Sequence, residues 1–127
     1  MQTRVVTMTE QGSPSVMSLN TIDIESPSEG EVQIKQNVIG FNYMDIYQRS
    51  GLYPLDLPSG IGLEAAGTIY AVGENVDEFS VGDRVAYATA PQGAYAEYRN
   101  FPANRVVHLP NDISDEQCAA TLFKGMT

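Results

Sequence analysis

Seven short runs rich in β-branched and aromatic residues, each cut off by a turn, constrain this chain most. They are RVVTM (4–8), VMSLNTIDI (16–24), EVQIKQNVI (31–39), EAAGTIYAVG (64–73), DRVAYAT (83–89), AYAEYRN (94–100) and RVVHLP (105–110). The run 31–39 alternates, with Val32, Ile34 and Val38 on one side and Glu31, Gln33, Lys35 and Asn37 on the other. Between the runs lie SPSEGE, VGENVDEF, SVGD and PQG, all turn formers. Short strands at this spacing predict a mainly β chain, a closed or partly open antiparallel barrel with short helices.

At 127 residues and 43% hydrophobic content the chain is long enough to bury one core. It contains no apolar run of about eighteen residues, the length a spanning helix needs. The opening MQTRVVTMTE lacks the apolar centre and cleavage site of a secretory signal. A net charge of −9 argues against a nucleic-acid partner, which would call for lysine and arginine. Cys118 is the single cysteine, which rules out an internal disulfide and fits a reducing cytoplasm; it reads as a buried helix residue. His108, the single histidine, reads as structural or solvent-facing.

Two places read as helical. YMDIYQRSG (43–51) ends on Gly51, suited to the left-handed position that closes a helix. SDEQ from Ser114 to Gln117 has the spacing of a capping box, with Asp115 and Glu116 in the first turn. This divides the chain into a domain over 1–113 and the start of a connecting helix over 114–127. A helix entered so cleanly at the end of the chain predicts a longer protein, of which this is the first part.

The segment GFNYMDIYQRSGLYP (40–54) concentrates three of the seven tyrosines beside Asn42, Asp45 and Arg49. A core would not need that mixture, and a plain surface loop would not need the rings. Elsewhere there is no Cys/His metal spacing, no nucleophile elbow and no phosphate-binding loop. GIGLEAAG (60–67) precedes a strand where a dinucleotide fingerprint must open a helix. Gly60, Gly62 and Gly67 are therefore expected to allow close backbone approach and bends.

Three blocks, GFNYMDIYQRSGLYP, PSGIGLEAAGTIYAVGENVDEFSVGDRVAY and GAYAEYRNFPANRVVHLPNDISDEQCAATLFKGMT, carry a resemblance. In that order they resemble the N-terminal part of the zeta-crystallin-like quinone oxidoreductases, in the medium-chain dehydrogenase/reductase superfamily. The resemblance implies a GroES-like, partly open β-barrel, followed in the family by a Rossmann domain that binds NADPH. It implies a small quinone or conjugated carbonyl as substrate, and a homodimer formed mainly outside these residues, so that this part alone is expected to be monomeric and inactive.

By the same resemblance, Asn42, Tyr47 and Thr127 border the cofactor, and Asn42, Arg49 and Tyr53 meet the substrate. Tyr53 and Tyr47 are the candidate catalytic hydroxyls. A surface ion pair is an equal reading of Arg49, while Asp45 reads as a capping residue and Tyr43 as a packing aromatic. The superfamily's zinc ligands fall on Asn42, Leu63 and Phe123, its relay hydroxyl on Met44, and Glu64 matches the carboxylate after the second ligand. An amide, an alkyl chain and a phenyl ring do not hold zinc, so the expectation is metal-free reduction. Three readings follow: an NADPH-dependent quinone reductase, an enoyl-thioester or alkenal reductase with Tyr53 as proton donor, or a non-catalytic interaction barrel.

Overall fold

The structure, a computed structural model, describes residues 1–89 and 91–115. They form two antiparallel sheets. The smaller has the order β2-β1-β4, built from β1 (Gln2–Met8), β2 (Met17–Asp23) and β4 (Ser59–Gly60). The larger has the order β7-β3-β5-β6-β8, built from β3 (Glu31–Ile39), β5 (Glu64–Val72), β6 (Arg84–Ala88), β7 (Tyr98–Pro102) and β8 (Val107–His108). One helix, α1 (Tyr43–Ser50), connects β3 to β4. A lone bridge between Val5 and Ala96 joins the sheets without closing them, giving the mainly β, partly open barrel that the turn spacing predicts.

The core lies against the larger sheet. Val32, Ile34, Ile69 and Val85 are almost wholly buried and pack with Phe79, Tyr87 and Phe101. Tyr87 and Phe101 stack with ring centres 4.1 Å apart, and the Arg99 guanidinium sits over both rings. The Tyr87 hydroxyl donates to the Gln36 side chain, so the ring is buried without an unmatched polar tip.

The strands depart from the expectation at two boundaries and in the burial of one side chain. The run 94–100 becomes a strand only from Tyr98, because Ala94 and Tyr95 donate to the carbonyls of Gly62 and Ile61 and turn the chain toward β4. The run 105–110 yields only β8; the turn before it is a 3-10 helix at Ala103–Arg105. Gln33, expected on the polar side of β3, is buried. Its amide donates to the Glu25 carbonyl and to Asn100 Oδ1, partners that make burial tolerable. The β3–β5 register shifts between Gln33 and Ile34 and again between Gln36 and Val38. Such bulges break strict alternation.

The glycines of 60–67 do what their positions require. A Cβ on Gly67 would lie 2.1 Å from the Lys35 carbonyl oxygen, and one on Gly62 2.6 Å from the Tyr95 ring. Only a missing side chain lets β5 and β3 approach so closely at Gly67. His108 bonds the Glu78 carbonyl at 2.9 Å and stacks on Phe79, a structural arrangement. Gln117, Cys118, Phe123 and Thr127 lie outside the described residues, as does most of the expected helix after Ser114.

Candidate active-site face around helix α1

Helix α1 has a defined start and stop. Asn42 is its N-cap, with extended backbone angles, and the Asp45 carboxylate accepts from the Asn42 N–H at 3.1 Å. Gly51 closes the helix with φ 97°, in the left-handed region. At 3.6 residues per turn, Asn42, Asp45, Ile46 and Arg49 share one face, while Tyr43, Tyr47 and Ser50 share another. Tyr43 is 72% exposed, so among the described residues it is not the packing aromatic expected: it stands on the outer face of the helix.

On the inner face, Asn42 and Glu64 are both buried, and Asn42 Nδ2 donates to Glu64 Oε1 at 3.1 Å. Leu63, the residue before Glu64, is also buried. Asn42 thus enters the site with part of its amide already committed to the scaffold.

Asp45 is buried beside Tyr95, whose hydroxyl donates to Asp45 Oδ2 at 2.8 Å. Asp45 Oδ1 has no partner among the described residues. Burial pushes the Asp45 carboxyl above its usual range, against the opposing pull of the Tyr95 and Asn42 hydrogen bonds. Burial first, then the Asp45 hydrogen bond and charge, raises the Tyr95 hydroxyl well above a normal tyrosine. Asp45 is therefore a buried capping residue, in line with its expected role.

Tyr47 and Tyr53 meet edge to face, with ring centres 5.6 Å apart and planes at 68°. Neither hydroxyl has a partner among the described residues, and Tyr53 is 45% exposed. An aromatic wall with two uncommitted hydroxyls suits a flat, oxygen-bearing ligand. The fold thus brings Tyr47 and Tyr53 together, with Asn42 at the start of the same helix.

Arg49 points elsewhere. It lines a small cavity of about 170 Å³ with Met17, Phe41, Asp45, Ile46, Ile61 and Tyr95, and its guanidinium donates to the Gly12 carbonyl. The carboxylate ion pair expected of Arg49 is not formed among the described residues; its guanidinium bonds a carbonyl instead. Helical geometry turns it from Tyr47, since the two are two residues, roughly 200° of rotation, apart.

Gln11, Gly12 and Tyr95 are not among the site residues expected from the sequence, yet they hold this region. Gln11 Nε2 donates to the carbonyls of Gln48 and Tyr53 at 2.7 and 2.8 Å. No motif or periodicity links residues so far apart; a polar Gln-Gly turn after β1 was the sole local signal.

For a dinucleotide the fit is partial. The tyrosine pair, Tyr47 half-buried and Tyr53 exposed, can flank a flat nicotinamide ring. The phosphates would find little, since α1 begins behind Asn42 with an acidic residue, Asp45, in its first turn, a setting that repels anions. Among the described residues no group of three or more His, Cys, Asp and Glu could hold a metal ion, and no helix is long and apolar enough to cross a membrane.

The alcohol dehydrogenase GroES-like domain family matches residues 28–111, and the chain belongs to it. Within that class its similarity is to quinone oxidoreductases of the zinc-independent medium-chain dehydrogenase/reductase superfamily. The quinone oxidoreductase of Pseudomonas aeruginosa is 48% identical over 117 residues, which cover 91% of this chain and 36% of that protein. The crystal structure of Escherichia coli quinone oxidoreductase complexed with NADPH aligns at a TM-score of 0.93 and 42% identity, over 98% of this chain and 38% of that one. The 2-haloacrylate reductase of a Burkholderia species is 35% identical over 124 residues, 93% of this chain and 37% of that protein. The chain spans a little over a third of the length of these relatives.

Proposed function

We propose that these residues form the substrate-side domain of a metal-free, NADPH-dependent quinone reductase. The observation that carries the reading is the Tyr47–Tyr53 pair, a half-buried ring against an exposed one with two uncommitted hydroxyls, in a chain similar to quinone oxidoreductases. NADPH, held mostly by residues beyond these, would supply the hydride.

The chain's own groups bind and orient. In this reading the Tyr47 ring and the Asn42 amide, both offered by α1, serve the nicotinamide side. Tyr53 faces the substrate and donates its hydroxyl to the oxygen that gains negative charge. A positioned donor of this kind lowers the barrier because it meets charge that develops in the transition state. Quinones need no Lewis acid, in keeping with an amide at Asn42 and an alkyl chain at Leu63 where zinc enzymes of the superfamily place ligands. Arg49 has a structural task and is not among the substrate contacts in this reading.

A second reading is favoured by the similarity to a 2-haloacrylate reductase: reduction of a carbon–carbon double bond conjugated to a carbonyl, with Tyr53 giving the proton. Steady-state kinetics of the whole protein on a 1,4-naphthoquinone and on an enoyl thioester, both with NADPH, separate the two. A kcat/KM at least tenfold higher for the quinone supports the first reading. The reverse order replaces it with the second, and turnover of neither removes both.

A further inference from the structure

Tyr53 stands just past the end of α1, in a stretch with few anchors of its own. Leu52 is 66% exposed and Tyr53 45% exposed. The Tyr53 N–H donates to the Tyr47 carbonyl at a long 3.3 Å. The Tyr53 carbonyl is held from elsewhere in the chain, by the Gln11 amide at 2.8 Å.

That amide has two hydrogens, and both are used. The second acceptor, 2.7 Å away, is the carbonyl of Gln48 in the last turn of α1. Carbonyls there have no partner within the helix. One side chain therefore ties the helix end and the tyrosine segment to a common point. The point itself is rigid: the Gly12 N–H donates to the Arg49 carbonyl at 2.7 Å, while the Arg49 guanidinium donates back to the Gly12 carbonyl. A Cβ at Gly51 would lie 3.6 Å from Gln11 Cβ, so the loop sits directly against the helix terminus.

We propose that Gln11 is a positioning residue, whose amide holds the Tyr53 main chain so that the Tyr53 ring stays against Tyr47 and faces the substrate. The proposal rests on the tyrosine site described above. It acts through geometry: a misplacement of about 1 Å in a reacting group can cost about 10²-fold in rate.

The test uses Gln11→Met, which keeps length and loses both donors, Gln11→Glu, which sets a carboxylate against two carbonyls, and Gln11→Lys, whose ammonium restores donors. In the whole protein Gln11→Met and Gln11→Glu should lower kcat/KM for the quinone about tenfold or more while NADPH affinity stays within about twofold. Gln11→Lys should recover most of the loss. Combined with Tyr53→Ala, the Gln11→Met change should have almost no further effect, because the group it positions is gone. An equal loss in both backgrounds overturns the proposal.

A readout independent of turnover is proton NMR of the 127-residue chain. Ring-to-ring Overhauser effects between Tyr47 and Tyr53 should vanish in Gln11→Met and persist in Gln11→Lys. Overhauser effects that stay unchanged in Gln11→Met overturn the proposal whatever the activity. If the whole protein reduces neither substrate while the Overhauser effects vanish in Gln11→Met, the functional reading is defeated and the role of Gln11 in placing Tyr53 stands.

Discussion

The carboxamide of Asn42 donates to the carboxylate of Glu64 across 3.1 Å, joining the cap of α1 to the first residue of β5 in a place almost closed to water. Helix and sheet are thereby held together at the site. Asn42→Leu should remove the cap, worth about 1 kcal/mol, and strip a donor from a buried carboxylate, at about 1–3 kcal/mol. Urea denaturation of the chain should show a loss of about 2–4 kcal/mol. A change under about 0.5 kcal/mol, the range of neutral surface substitutions, would mean that the bond contributes nothing to stability.

Tyr53→Phe in the whole protein keeps the ring and deletes one donor. Losing a donor to developing charge typically costs about 10²–10³ in turnover. A quinone is a strong electrophile and should lose less, about tenfold, or about 1.4 kcal/mol. An enoyl thioester, which must also receive a proton, should lose the full amount. If quinone turnover is unaltered, Tyr53 is a wall only, and the Tyr47 hydroxyl becomes the candidate.

Asp45 makes a pH-dependent prediction. Its carboxyl is raised above the ordinary 3.8 by burial, so the native protein holds that proton more tightly than the unfolded chain. The resulting stabilisation is complete below the unfolded pKa and is lost as pH rises through the native one. Asp45→Asn removes the buried charge and keeps an oxygen to accept from Tyr95. Its melting temperature should match the wild type near about pH 3.5 and exceed it increasingly toward about pH 8. A variant that instead falls further behind as pH rises would show that the scaffold stabilises the anion.

Gly67 and Gly82 separate two reasons for glycine. An added Cβ at Gly67 meets the Lys35 carbonyl oxygen at 2.1 Å, whereas at Gly82 it meets nothing within 4 Å, though φ is +94°. Gly82→Ala should cost about 1–3 kcal/mol of backbone strain and leave a folded chain. Gly67→Ala forces β3 and β5 apart and should abolish cooperative unfolding in circular dichroism. Equal effects of the two would contradict the close approach.

Features that depend on neighbours in the chain could be read before any coordinates. The helical segment of α1, its capping residue Asp45 and its stop at Gly51 follow from near neighbours in the chain, and β3 and β5 follow from local alternation and bulk. Turn glycines marked the ends of most strands, and three ordered blocks were enough to place the chain in its family. Folding in three dimensions settled the rest. Gln33 is buried because Asn100 and the Glu25 carbonyl happen to lie opposite it, Arg49 serves Gly12 because the 9–13 loop folds over α1, and Tyr95 reaches Asp45 across fifty positions. A hydrogen bond is decided by which groups the packing brings within about 3 Å, and such pairing leaves no periodicity in the sequence. The tyrosines could thus be named from their motif, while the amide of Gln11 that holds one of them emerged only once β1, its loop and α1 were packed together.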